Sequence, residues 1–460
     1  MKNQIDKINF YKFLKLYLCV CLLGLSVIYV SAQPHLTKPL PKSANNQEVI
    51  KLLQESAAFI QAGNFSEAEP HLRRAVLIAP KNADAHNLLG IVFDQQGKTA
   101  EAEKSYRTAL KLNPKAVSPL ANLGVLLART KKYEQAAQVF ENVLKLAPNH
   151  PQATINLGLL YSSLSKYEKA VELLNIANQL QPDSYDILFN LGLSLYHLQR
   201  FDQANAAFTE AAKFLPDAPE PFYYLGLIAF SNKQDETAAD FFDKAVNLRP
   251  TYAEANFMLG EVLRKNNRLT AAKDFYEKAL AQNSSQAVNY IRLGGVYLVL
   301  NDFAKALEIF TKARNRFPNI PEIYYFLSIT ARATGDFDLA LKSLRQSLAL
   351  KPESADALAL LGAILADRNE PFEAEKLLRQ AINLDKNHFN SHHDIGKLLV
   401  RNRRYEEALP ILQRASSLKP ENPDVHYQLF LTLSRLRRPA EADREFVVYK
   451  KLTTESKNQK

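Results

Sequence analysis

Apolar and polar positions along this chain recur with a period of 34 residues. The stretch Pro151–Ser184 reads PQATINLGLLYSSLSKYEKAVELLNIANQLQPDS. Counting Pro151 as position 1, Leu157, Gly158 and Tyr161 stand at 7, 8 and 11. Ala170, Leu174 and Ala177 follow at 20, 24 and 27, and Pro182 at 32. Each group has the spacing of one helical face, so the stretch predicts two amphipathic helices, A and B, joined by a short turn.

A step of 34 in either direction returns the same residue types without an insertion, giving twelve units from Val49 to Ser456. Leu-Gly at positions 7 and 8 recurs as Leu89-Gly90, Leu123-Gly124, Leu191-Gly192, Leu225-Gly226, Leu259-Gly260, Leu293-Gly294 and Leu361-Gly362. The departures are few. Glu55-Ser56 replaces Leu-Gly in repeat one, Ser328 and Phe430 replace the glycine in repeats nine and twelve, and Ser284 and Lys386 replace the proline. A polar substitution in repeat one suits a terminal unit with one face to water. Small residues at 8 and 20 let the two helices approach, and a larger one at 24 fills the space above them. Proline at 32 ends helix B, and Asp, Asn or Ser just after it can cap the next helix A. Each unit leaves an apolar face that only the next unit can cover.

These residues at this period resemble the tetratricopeptide repeat family. The resemblance implies an all-α fold, a right-handed superhelical α-solenoid of about twelve helix–turn–helix units. It also implies a concave surface lined by helix A positions 2, 5, 6, 9, 12 and 13, where the family holds a peptide or a partner helix. The expected function is therefore a non-catalytic scaffold that binds a protein or an extended peptide.

Two features mark that surface. Asn122, Asn156 and Asn190 occupy position 6 in three successive repeats. They resemble the asparagine ladder in the repeats of O-linked N-acetylglucosamine transferases, where such side chains hold a peptide's main chain. An amide both donates and accepts, so it pairs with the backbone of any residue. The alternative is that asparagine is simply tolerated at a solvent-facing site. Aromatics also recur at position 5, as Phe189, Tyr223, Phe257, Tyr325 and Tyr427, with Tyr196 and Phe230 at position 12. A contiguous apolar patch marks an interaction site, while packing between repeats is the competing account. The expected partner-binding residues are Asn122, Asn156, Asn190, Phe189, Tyr196, Tyr223 and Phe230. The carboxylate clamp of chaperone-binding members needs lysine at 5 and asparagine at 9, and no repeat here has both.

Composition adds a compartment. The apolar run Leu16–Val30 follows a lysine-bearing segment and leads into Val30-Ser31-Ala32, which reads as a secretory signal peptide over residues 1–32. The run is 15 residues, short of the roughly 20 that a membrane-spanning helix needs. Retention as an anchor is the alternative. Residues 33–48 read as a proline-rich linker, 49–456 as the repeats and 457–460 as a polar tail. Export to the periplasm or beyond is the expected localisation, with membrane contact only through an uncleaved N-terminal segment. The two cysteines, Cys19 and Cys21, lie in the apolar run, so the repeats form no disulfide and no thiolate metal site. The formal charge is +10; residues 1–32 hold four lysines against Asp6, a net +3, which leaves +7 for the rest.

Nothing in the pattern carries catalysis. There is no P-loop, nucleophile elbow or HExxH motif. His388, His392 and His393 form the tightest histidine cluster, but His392 stands at position 4, as do His86 and His426, and reads as packed rather than ligating. The acids at position 2, such as Asp84, Asp186, Glu220, Asp356 and Asp424, suit helix N-termini. No catalytic residue, metal or cofactor is expected. A second reading rests on Arg401, Arg403, Arg404, Arg435, Arg437 and Arg438 near the end. It is a cell-envelope assembly or polysaccharide-export component that meets an anionic polymer. Without interleaved exposed aromatics these arginines do not point to nucleic acid.

Overall fold

The computed structural model describes residues 44–458. The signal-peptide reading of residues 1–32 and most of the linker lie outside them. Among the described residues the chain forms 24 α-helices, in twelve A/B pairs at the expected period. It divides into two compact units, Met1–Leu248 and Arg249–Lys460, which hold the helices of repeats one to six and seven to twelve. No described helix is long and apolar enough to cross a membrane.

Helix A of repeat one begins at Ala44, so residues 44–48, read as linker, are helical. Glu48 reaches Arg74 on helix B of the same repeat at 3.4 Å, which ties the extra turn to the array. Ser56 is also corrected. It is fully buried rather than turned to water, and its hydroxyl donates to the Leu52 carbonyl at 2.7 Å. Bonding within its own turn removes the cost of burying the hydroxyl.

One packing rule runs through both units. The side chain at position 24 is fully buried and lies directly on the position 8 backbone of the same repeat. A Cβ on Gly192 would sit 2.8 Å from the Phe208 ring, one on Gly226 2.6 Å from Phe242, and one on Gly260 2.8 Å from Tyr276. Glycine is therefore required by close approach. Leucine at 24 gives approaches of the same order: a Cβ would sit 3.0 Å from Leu174 on Gly158, 2.8 Å from Leu378 on Gly362 and 2.4 Å from Leu412 on Gly396. In repeat twelve Phe430 cannot lie beneath Phe446. The two rings stack at 4.7 Å and both are only partly buried.

The A–B turns share a second rule that the pattern does not announce. Position 15 is left-handed in every repeat. Gly63, Gly97 and Gly335 have φ of 73, 73 and 82°, and Lys131, Asn301 and Arg403 have 61, 60 and 61°. The turn needs this conformation to reverse the chain, whatever residue is present.

Polar bonds join successive repeats on the outside. Tyr161 at position 11 donates to Glu141 of the preceding repeat at 2.6 Å, and Tyr297 does the same to Glu277. Glu103 accepts from Arg107 at 2.7 Å in its own repeat and from Lys132 of the next at 2.9 Å. Glu69 and Glu375 repeat that geometry with Arg73 and Lys98, and with Arg379 and Arg404.

Candidate functional site

The candidate site lies in the first unit, on helix A of repeats two to six: Ala83–Gln95, Val117–Arg129, Pro151–Ser163, Tyr185–His197 and Pro219–Ser231. Their starts are fixed locally. Asn82 and Ser184 accept from Ala85 N–H and Ile187 N–H, His150 Nδ1 accepts from Ala153 N–H, and Pro219 opens the last helix at its first turn. The first four helices each touch the next along the row, which makes a continuous A-helix face.

Asn122, Asn156 and Asn190 are all partly exposed on that face. Each engages a different neighbour. Asn122 Nδ2 donates to Asn87 Oδ1 at 3.2 Å, and the buried Asn87 donates on to Ser118 Oγ at 3.3 Å. Asn156 Oδ1 accepts from Gln152 at 3.3 Å, and Asn190 Nδ2 donates to the Asp186 carbonyl at 2.8 Å. An asparagine amide offers two donors and an acceptor with two lone pairs, so each side chain keeps capacity for a further bond. Asn87 lies one position earlier in its repeat, yet it joins the row through Asn122. A search at position 6 alone does not find it.

The aromatic residues meet through one that was not singled out. Tyr224 stacks on Phe208 at 5.1 Å and touches Tyr196, Tyr223 and Phe189 edge-on at 5.4, 5.4 and 5.9 Å. Tyr196, Tyr223, Tyr224 and Phe230 are partly exposed. Phe189 is 6% exposed. Its ring packs on Phe208 at 5.7 Å, so it supports the patch from beneath rather than lining it. Position 5 leans on position 24 of its own repeat, as Tyr223 does on Phe242 at 5.9 Å and Phe257 on Tyr276 at 5.6 Å. A 100° count places position 5 on the face. Tyr223 and Phe257 stay partly exposed in spite of that contact, whereas Phe189 also meets Tyr224 of the next repeat at 5.9 Å and Tyr185 at 5.6 Å.

Position 9 supplies an apolar floor: Ile91, Val125 and Leu159 are partly exposed, and Leu193 and Leu227 are buried. Toward repeat two the upper margin is closed by Arg129, which pairs with the buried Asp94. Burial raises the Asp94 carboxyl above its usual range although the Arg129 charge opposes the rise.

Models of the tetratricopeptide repeat match residues 53–117, 91–154 and 189–253, and a second such model matches 127–184. The model of the cilia and flagella-associated protein 70 C-terminal domain matches 244–460. The chain is a tetratricopeptide-repeat protein. No curated protein matches its sequence. Among solved structures, this tetratricopeptide array is similar to the Cut9–Hcn1 hetero-tetramer of the APC/C, at 14% identity over 90% of this chain and 94% of that one, with a TM-score of 0.46. Yeast Tom70 gives 16% identity, 88% and 96% coverage and a TM-score of 0.36. Pseudomonas aeruginosa pilF gives 24%, 48% and 100%, and 0.39. At these scores the likeness carries no functional inference.

The histidine cluster of the array's second unit is occupied by its own fold. His388 Nε2 donates to Asp356 at 2.9 Å while its Nδ1 faces Ser391 Oγ at 2.7 Å, and His392 Nδ1 lies 3.1 Å from the His388 carbonyl. His393 donates to Asp394 at 2.9 Å and to Asp424 of the next repeat at 2.7 Å. Burial works against the charged ring, but the two carboxylates outweigh it and raise its pKa to about 9. Among the described residues no group of three or more His, Cys, Asp or Glu is placed to hold a metal ion.

Proposed function

We propose that the A-helix face of repeats two to six binds a segment of a partner protein in extended form. The asparagine row holds the segment's main chain, and Tyr196, Tyr223, Tyr224 and Phe230 take its apolar side chains. The observation that carries this reading is the row itself. Asn122, Asn156 and Asn190 recur at one register, stay partly exposed, and each keeps unused hydrogen-bonding capacity. Packing does not require an amide there, since Leu88 and Tyr224 fill the same position in repeats two and six. The apolar floor at position 9 and the adjoining tyrosines supply the desolvated centre on which binding energy concentrates. The repeat fold is generally a non-catalytic scaffold, which agrees with binding as the output. The N-terminal sequence adds the proposal that the partner is met outside the cytoplasm.

A photo-crosslinking amino acid placed at Asn156, with a second at Lys111 on helix B as control, tests the reading in native extract. A discrete peptide captured from Asn156 and not from Lys111 supports it. Equal capture at both positions, or capture that survives Tyr223→Ala with Phe230→Ala, contradicts it.

A further inference from the structure

The A-helix face of repeats two to five is built with a fixed step, and that step restricts the segment it can hold. In repeats three and four an amide and an apolar side chain stand three residues apart on helix A. Asn122 pairs with Val125 in this way and Asn156 with Leu159, and all four are partly exposed. Residues three apart share one helical face. Repeat five continues the pairing as Asn190 with the buried Leu193. Repeat two supplies Asn87, bonded to Asn122 at 3.2 Å, and the partly exposed Ile91. Each repeat thus offers one amide beside one apolar contact.

The four helices touch in sequence along the row, and the axes of helices in contact run about 8–10 Å apart. A segment lying across them must therefore present one polar main-chain site and one apolar group at about that interval. An α-helix returns to the same face about every 5.4 Å. A β-strand does so every second residue, or about 6.6 Å. Polyproline II has three residues per turn at about 3.1 Å each, so its face returns after about 9.3 Å. Of the three conformations it alone keeps step with the repeats. It also makes no internal hydrogen bonds, which leaves its carbonyl and N–H groups for the asparagines. At the far end of the row Tyr196 and Tyr223 each meet Tyr224 edge-on, at 68° and 72°. Aromatic linings of this kind receive proline-rich segments.

Resting on the binding face proposed above, we infer that its partner is a proline-rich segment in the polyproline II conformation, with proline at every third residue. The prolines lie on the position 9 floor, where their missing N–H costs nothing. The two residues between them turn their main-chain groups to the asparagine row. Because proline fixes φ near −65° in the free segment, little conformational freedom is lost on binding.

The test uses the full chain and three fluorescein-labelled, amidated peptides, each with five prolines spaced by glutamine and serine, followed by fluorescence anisotropy. The first has L-proline at every third residue. The second has L-proline at every fourth, a spacing that aligns the prolines on a strand but not on polyproline II. The third has D-proline at every third residue, which opposes the left-handed polyproline II helix. The first should bind roughly ten-fold tighter than either of the others. Equal affinity of the three, tighter binding of the second or third, or no binding of the first at about millimolar concentration overturns the proposal. Asn156→Ala, at a partly exposed position, should weaken the first peptide roughly three-fold or more with no loss in melting temperature. A preference for the second peptide that Asn156→Ala still weakens overturns the polyproline conformation and leaves the binding face standing. Binding that Asn156→Ala does not weaken overturns both.

Discussion

Tyr224, on helix A of repeat six, lies flat on Phe208, on helix B of repeat five, with ring centroids 5.1 Å apart and planes 11° apart. Phe326 lies on Phe310 in the same way, at 5.6 Å and 11°. Position 6 of one repeat thus covers position 24 of the repeat before, while position 5 and the position 8 glycine of that earlier repeat enclose its other sides.

The enclosure makes Gly192 the tightest point of repeat five. Gly192→Ala should destabilise the chain by about 1–3 kcal/mol, as overpacking does, although alanine is the better helix former. Gly295→Ala, with open space around it, should instead stabilise by up to about 1 kcal/mol. Thermal melts followed by circular dichroism read both. Equal effects of the two changes would contradict the packing rule.

The turn rule gives a prediction of opposite sign. Lys131, Lys233 and Arg403 hold φ near +61° without being glycine or asparagine. A left-handed L-residue costs about 1–2 kcal/mol, and glycine removes that cost while giving back part through the freedom of the unfolded chain. Lys233→Gly should therefore raise stability by about 0.5–1 kcal/mol. A lower denaturation midpoint for the variant would count against the turn geometry.

His393 makes stability depend on pH in one direction. The fold favours its protonated ring and raises its pKa from 6.5 to about 9. Its contribution is then fully present below pH 6.5 and is lost as the pH rises toward 9. Denaturation at a series of pH values should show a decline across that window which His393→Gln flattens.

Glu69 acts at the other end of the scale. Burial raises its pKa, but hydrogen bonds from Lys98, Arg73 and Gln96 prevail and bring it from 4.5 to about 2. Its contribution is present above pH 4.5 and lost as the pH falls toward 2. Glu69→Gln should remove that share of the acid transition, and an unchanged acid profile would rule the bond set out as a stabiliser.

The array was legible in the sequence because each packing contact is local and recurs. Gly192 and Phe208 lie 16 residues apart in every copy, so one repeat explains the others. Three things were not legible. Position 15 is left-handed under lysine, serine and arginine alike, since the turn sets φ and the residue only tolerates it. Phe189 was expected on the surface and lies beneath it, because Tyr224 of the next repeat packs over it, a contact between repeats that the register of one repeat does not show. Tyr224 stands at the asparagine position 6 and Asn87 at the aromatic position 5, so a search for one residue type at one register finds neither. Contacts between repeats, Tyr224 with Tyr196 and Asn87 with Asn122, restore them to the site.

The most direct measurement is the affinity of the segment captured at Asn156 for the full chain, by calorimetry, with its backbone amides intact or N-methylated. Main-chain recognition by the asparagine row predicts that N-methylation and the triple change Asn122→Ala, Asn156→Ala, Asn190→Ala each weaken binding by roughly ten-fold or more, at about 0.5–1.5 kcal/mol per lost bond. The same account predicts that the two losses are not additive, since they remove the same bonds. Undiminished binding of the N-methylated segment, or losses that simply add, would contradict it.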